Sequence, residues 1–214
     1  MILKKQFVFF FLYIARGLRQ ILGISEETYK VLFIAGLEEF RWRVGRWKAW
    51  KVWEEARSRV PGYAQFLKSH NNPQVTMRGW DPDFSAIPIL DKETYIKKYS
   101  IEDRCLDGKI PSHGVVIDES SGTSGPPTNW VRGPKERMDV KKILQTSLHF
   151  AIGNKPVFLL NAFALGPWAT GMNVSMSLVD VTMLKSTGPD IKKIENTLNI
   201  FGPNWPYPRS LLSQ

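Results

Sequence analysis

A chain of 214 residues is long enough to bury one substantial core or two small ones. Its hydrophobic content of 43% and charged content of 23% are those of a globular protein and exclude disorder as the default. The one cysteine, Cys105, excludes an internal disulfide or a multi-cysteine metal site, and the net charge of +9 favours an anionic partner: nucleic acid, an anionic membrane or an anionic substrate.

In chain order, the first feature is the apolar run Phe7 to Ala15, preceded by Lys4 and Lys5 and followed by Arg16 and Arg19. It lacks a small-x-small cleavage site and is well short of the roughly 20 residues of a spanning helix. Two readings stand: a helix lying in a membrane interface, or, more commonly, a helix docked on its own or a missing domain. Residues 26 to 59 read as helical. Leu37, Phe40, Val44 and Trp47 recur at three- and four-residue steps, with Trp50 and Trp53 continuing the apolar side. Much of the other side is Arg41, Arg43, Arg46, Lys48 and Lys51. A basic helix with interleaved tryptophans can bind nucleic acid, but no reader motif accompanies it, so the tryptophans are expected in a core and nucleic acid is not an expected partner.

Pro61-Gly62 reads as the stop of that helix, and Asn71 to Phe84 reads as loop because of Asn72-Pro73 and Asp81-Pro82. Asp91 is placed to cap a short helix through Lys98. From Val115 the pattern alternates: strand Val115–Ile117, helix from Pro134 to about Ile152, strand Val157–Leu160, helix Thr170–Leu178, strand Val181–Leu184, and a helix opened by Pro189 that ends near Gly202. The expected fold is α/β: a basic, Trp-rich helical region over 1–60, then part of a mostly parallel sheet with flanking helices over 61–207, then a tail over 208–214.

The chemistry concentrates between the first of these strands and the helix from Pro134. Ser120-Ser121-Gly122-Thr123-Ser124-Gly125-Pro126-Pro127-Thr128 combines hydroxyl donors with glycines that let backbone N–H groups converge, which is how anions are cradled. A surface linker has similar composition. A Walker loop would need Lys directly after its last Gly, where Pro126 stands, and a dinucleotide loop would need a third glycine beside Gly122 and Gly125. His70, His113 and His149 have no metal-ligand spacing, no metal site is expected, and Cys105 carries no nucleophile signature.

The loop resembles the phosphate loop of adenylate-forming enzymes, S-S-G-T-[ST]-G-K-P-T, at every position except Pro126, where the family usually has Lys. Pro61-Gly62-Tyr63, Ile87-Pro88-Ile89-Leu90-Asp91-Lys92 and the segment Asn161 to Trp168 are similar to the phenylacetate–CoA ligase branch, so the resemblance covers roughly 55 to 207. It implies the N-terminal domain of that superfamily and a parent reaction in which ATP, with Mg²⁺, activates a carboxylic acid to an acyl-adenylate that is passed to CoA. By resemblance Ser120, Ser121, Thr123, Ser124 and Thr128 would offer hydroxyls to the β- and γ-phosphates, and Gly122 and Gly125 would let the backbone close around them. No catalytic residue can be assigned. Pro126 supplies neither charge nor N–H, so weaker phosphate binding is expected, with Arg132 and Lys135 as nearby substitutes. An acid-binding pocket is expected among Phe163 to Met172.

Beyond Tyr207 the resemblance stops, and Pro208 to Gln214 diverges. The expectation is therefore a truncated ligase that is catalytically incomplete alone, in the cytoplasm, with an exposed sheet edge that favours a C-terminal partner chain or a homo-oligomer. The alternatives are a non-catalytic accessory protein held at an anionic membrane through residues 1–20, and one half of a split ligase.

Overall fold

The computed structural model describes residues 2–22, 36–120 and 126–202, the side chains of 19–22 excepted. It is a mixed α/β chain that divides at Ile110 into two compact units.

The first unit is built on two long helices, α1 (Ile2–Leu22) and α2 (Glu38–Arg59), followed by the short α3 (Pro61–Ser69). The expected helix over 26–59 is present from Glu38; Gly36 and Leu37 precede it as a turn and its N-cap, and 26–35 lie outside the described residues. Glu38 and Glu39 occupy the first turn of α2 and Arg57 and Arg59 the last, each sign suiting its end of the helix dipole. Trp47, Trp50 and Trp53, three residues apart, face inward and are buried. The apolar run of α1 docks on them: Phe9 meets Trp50 edge-on at 5.4 Å and Phe11 meets Trp47 at 5.6 Å. Leu37 and Phe40, expected on the same apolar side, are exposed, because the core begins only at Val44, one turn further on.

Pro61 both stops α2 and starts α3. It stands at the first position of α3, where the missing N–H is one the helix would leave unpaired anyway. The next residue has to be glycine for steric reasons: the Gly62 amide donates to the Asp103 carbonyl at 2.8 Å, and a Cβ there would meet Tyr99 and Asp103 at 3.1 Å. Within the stretch expected to be loop, β1 (Thr76–Arg78) and β2 (Asp81–Asp83) form a small antiparallel hairpin turned by Gly79, which has positive φ. The hairpin is tied to α2: Trp47 Nε1 donates to the Trp80 carbonyl at 2.7 Å, and Arg46 donates twice to Asp81 Oδ1, at 2.8 and 3.1 Å. Hydrogen bonds from Arg46 therefore hold the Asp81 carboxyl below its ordinary range. Asp91 caps a single π-helical turn, Lys92–Ile96, by accepting from the Thr94 amide at 2.6 Å, and Tyr95 and Tyr99 return into the same core.

The second unit contains four strands, β3 (Val116–Glu119), β4 (Asn129–Arg132), β5 (Phe158–Asn161) and β6 (Met183–Ser186). Its helices are α4 (Pro134–Ile152), α5 (Ala169–Leu178) and α6 (Ile191–Phe201). Pro134 stands in the first turn of α4, and Asp190 caps α6 by accepting from the Lys193 amide at 3.1 Å. β5 and β6 pair in parallel around α5, a right-length strand–helix–strand crossover, and Leu148, Val157, Leu159 and Leu178 form the core between α4, α5 and this pair.

The mostly parallel sheet expected over this region is not what the described residues form. β3 pairs antiparallel with β4, and its link to the remainder is one parallel bridge between Glu119 and Trp168. β4 was not anticipated: Asn129-Trp130-Val131-Arg132 is short, and its first two residues are exposed, so no alternation marks it.

Candidate functional site

The Ser/Gly loop is the connection of the β3–β4 hairpin. Ser121, Gly122, Thr123, Ser124 and Gly125 lie outside the described residues; Ser120 and Thr128 form the loop's two described ends. They hold one another. The Ser120 amide donates to the Thr128 carbonyl at 3.0 Å, and the Thr128 amide donates to Ser120 Oγ at 2.9 Å. The Ser120 hydroxyl, expected to face phosphate, thus accepts from Thr128 and closes the loop at its base.

That base is stapled to the start of α5. The Glu119 amide donates to the Pro167 carbonyl at 2.9 Å, and Trp168, in parallel register with Glu119, is the N-cap residue of α5. No side chain caps that end, so the first N–H groups of α5 are not satisfied by a capping hydroxyl or carboxylate.

Beneath the loop, Asp118 is 1% exposed and accepts from Arg132 Nε across the hairpin at 3.2 Å. Arg132 Nη1 also reaches Glu136 Oε1 at 2.6 Å. Arg132, one of the two cations expected to replace the family's lysine, is therefore committed to two carboxylates; Lys135 stands exposed on the first turn of α4. The pairing of Asp118 with Arg132 was not visible in the sequence, although a carboxylate directly after Val115-Val116-Ile117 is the kind of irregularity that marks a buried charge with a distant partner.

The segment expected to line an acid pocket, Phe163 to Met172, runs from the end of β5 into α5 and is fixed by Asn161. Asn161 is 2% exposed; its Nδ2 donates to the Gly171 carbonyl at 2.9 Å and to Ser175 Oγ at 2.8 Å, and its Oδ1 accepts from the Phe163 amide at 3.1 Å. Ser175 Oγ is in turn 2.8 Å from Ser186 Oγ on β6. One amide thus locks both strand ends to the helix. Gly171 is obligatory here, because a Cβ would lie 2.2 Å from the Ala164 carbonyl oxygen. Phe163 and Trp168 are partly exposed, Trp168 beside the loop base, whereas Gly171 is buried.

Of the remaining candidates, His70 packs at a tilt against Phe66, with ring centroids 4.4 Å apart, and His113 is exposed beside Ser112. Burial pushes the Cys105 thiol up, which disfavours the reactive thiolate. Among the described residues no group of His, Cys, Asp or Glu is placed to hold a metal ion, so the Mg²⁺ implied by the resemblance finds no ligand set there.

The arrangement is thus a mixed α/β unit in which the two ends of the Ser/Gly loop, Ser120 and Thr128, are bonded to one another and the neighbouring Glu119 is paired with an uncapped helix end. A scan against protein-family models and a search of the curated proteins give no match to the chain.

Proposed function

We propose that this chain carries the phosphate-binding part of an AMP-forming acid–thiol ligase similar to the phenylacetate–CoA ligases, whose whole reaction activates a carboxylic acid with ATP and transfers it to CoA. The observation that carries this reading is the fixed base of the Ser120–Thr128 loop, pinned to itself and held against the N-terminal end of α5. The adjoining helix end adds backbone N–H groups and a partial positive charge, both favourable to an oxyanion.

In the proposed reaction the difficulty is electrostatic, since a carboxylate has to approach a polyanion while charge moves onto the departing pyrophosphate. In this reading Thr123, Ser124 and the glycine-flanked backbone supply uncharged donors to those oxygens. Thr128, through its amide, and Ser120, through its hydroxyl, hold the loop in position. With Pro126 in the lysine position and Arg132 paired to carboxylates, binding rests on neutral donors and on Lys135. Trp168, beside the loop base, and Phe163, two residues after Asn161, offer partly exposed rings to an aromatic or aliphatic acid.

Titration calorimetry of the chain with pyrophosphate and with MgATP tests the reading. Saturable binding, weakened at least about tenfold in a Thr123→Val/Ser124→Ala double variant by loss of two charge-assisted hydrogen bonds, is the expected outcome. No saturable binding, or binding the double variant leaves intact, refutes it. Pro126→Lys should tighten both ligands; equal affinity would show that the missing cation is not what limits binding.

A further inference from the structure

Helix α1 has two apolar faces, and the core uses one. Val8 and Leu12 are buried against α2. On the other side Leu3, Phe7, Phe10, Ile14 and Leu18 recur at three- and four-residue steps and are exposed, Leu3 at 81% and Phe10 at 64%. Ile2 and Tyr13 extend this face. At 100° per residue the exposed residues sweep an arc of roughly 160°, interrupted only by Gln6 and Gly17.

Charge bounds that arc on both edges. Lys4 lies beyond Leu18 and Phe7 on one side, and Arg16 lies beyond Ile2 and Tyr13 on the other; both are exposed. Lys4 is held in place, its Nζ 3.0 Å from the Gly79 carbonyl and 5.5 Å from the centre of the Trp80 ring. Trp80, itself 44% exposed, packs edge-on against Phe7 at 5.5 Å and adds an amphipathic ring to the rim. No acidic residue occurs before Glu26, so the helix carries four cations and no carboxylate.

We propose that this outward face of α1 lies in the surface of an anionic lipid bilayer, with Leu3, Phe7, Phe10, Ile14 and Leu18 at the acyl boundary and Lys4 and Arg16 at the phosphates. The charge pattern selects this occupant. A second copy of the chain would bring Lys4 and Arg16 against their equivalents with no carboxylate on either helix to offset them. Anionic headgroups match both edges, and Phe, Tyr and Trp beside cations suit the headgroup layer. No helix among the described residues is long and apolar enough to cross a membrane, so contact is along the surface. This inference is independent of phosphate binding in the other unit.

Co-sedimentation of the full chain with phosphatidylcholine vesicles, with and without phosphatidylglycerol, tests it. Binding to the anionic vesicles, reduced at high salt, is expected. Phe10→Ser/Ile14→Ser, at two exposed positions, should weaken it at least about tenfold. Arg16→Glu should weaken it about fivefold or more on anionic vesicles while leaving neutral ones unaffected. Far-UV circular dichroism checks the helix; if the double variant loses it, Arg16→Glu decides alone. Failure of the parent to sediment with anionic vesicles, or variants that bind as the parent does, overturns the proposal. So does a parent dimer that Phe10→Ser/Ile14→Ser converts to monomer, which would assign the face to a second copy.

Discussion

The two units reach stability by different means. The first buries aromatic rings: Trp47, Trp50, Trp53, Tyr63, Phe66, Tyr95 and Tyr99 in one cluster, with α1 laid over it. The second buries few apolar side chains, the cluster of Leu148, Val157, Leu159 and Leu178, and supplements them with buried polar groups, Asp118, Asn161, Ser177, Thr187 and Thr197. An aromatic cluster tolerates imprecision, because its gain scales with area removed from water. A polar network does not, since each unmade hydrogen bond leaves a desolvated group behind. The unit that carries the candidate phosphate loop is thus the one whose geometry is set by directional bonds.

Substitutions can break that contrast. The largest effect is expected for Trp50→Ala, about 3–5 kcal/mol, which would unfold the first unit in denaturant before the second. Trp50→Phe is the control: the indole N–H is buried without an acceptor among the described residues, so a ring lacking it should cost far less than the alanine. Gly171→Ala should cost about 2–3 kcal/mol in the second unit, because the Ala164 carbonyl has to move. Asn161→Leu, similarly branched but larger, should cost at least about 2 kcal/mol by stripping the Gly171 carbonyl and Ser175 of their donor and by crowding the site. Arg132→Ala should cost about 2 kcal/mol, less than for a fully buried pair, since Arg132 keeps a third of its side chain in water while Asp118 is left without its cation. Urea unfolding followed by far-UV circular dichroism measures each.

Acid sharpens the same comparison with the smallest effect. Hydrogen bonds lower the Asp81, Asp83, Asp91 and Asp107 carboxyls in the first unit; in the second, Asp190 is lowered by its own cap. A carboxyl lowered by folding adds stability above its unfolded value near 4, and loses it as pH falls through the folded value. The first unit should therefore lose more of its thermal stability than the second as pH is lowered from about 5 to 3. All five groups are near the surface, so salt should shrink the difference. Equal losses in both units would show that these carboxyl bonds are not felt in solution.

Much of this architecture was legible where one residue type dictates one local geometry. Trp47, Trp50 and Trp53 announced a buried face by spacing, Pro134 a helix start, and Asp91 a cap that forms as expected. Other elements were hidden by residues with two meanings. Pro61 reads as a stop and is also a start, so α3 was missed; Asp81-Pro82 reads as a turn but sits in β2, where the strand is too short to show alternation. The parallel arrangement was inferred from alternating strands and helices, and that inference fails at β3 because a strand of four residues cannot signal which neighbour it will take. Around the candidate loop, the pairings that fix its ends were not legible. Asp118 finds its cation fourteen residues away, and Glu119 finds its partner at Pro167, pairings that only folding supplies.

The placement of the indoles has a practical consequence. Among the described residues the buried tryptophans, Trp47, Trp50 and Trp53, all belong to the first unit, whereas Trp130 and Trp168 in the second are partly in water. Among the described indoles the short-wavelength emission therefore comes from the helical unit, so a red shift reports its opening while the second unit can still be intact. Light emission and secondary-structure signal, followed together, give the chain a built-in two-channel readout, and the gap between their midpoints measures how independently its halves unfold.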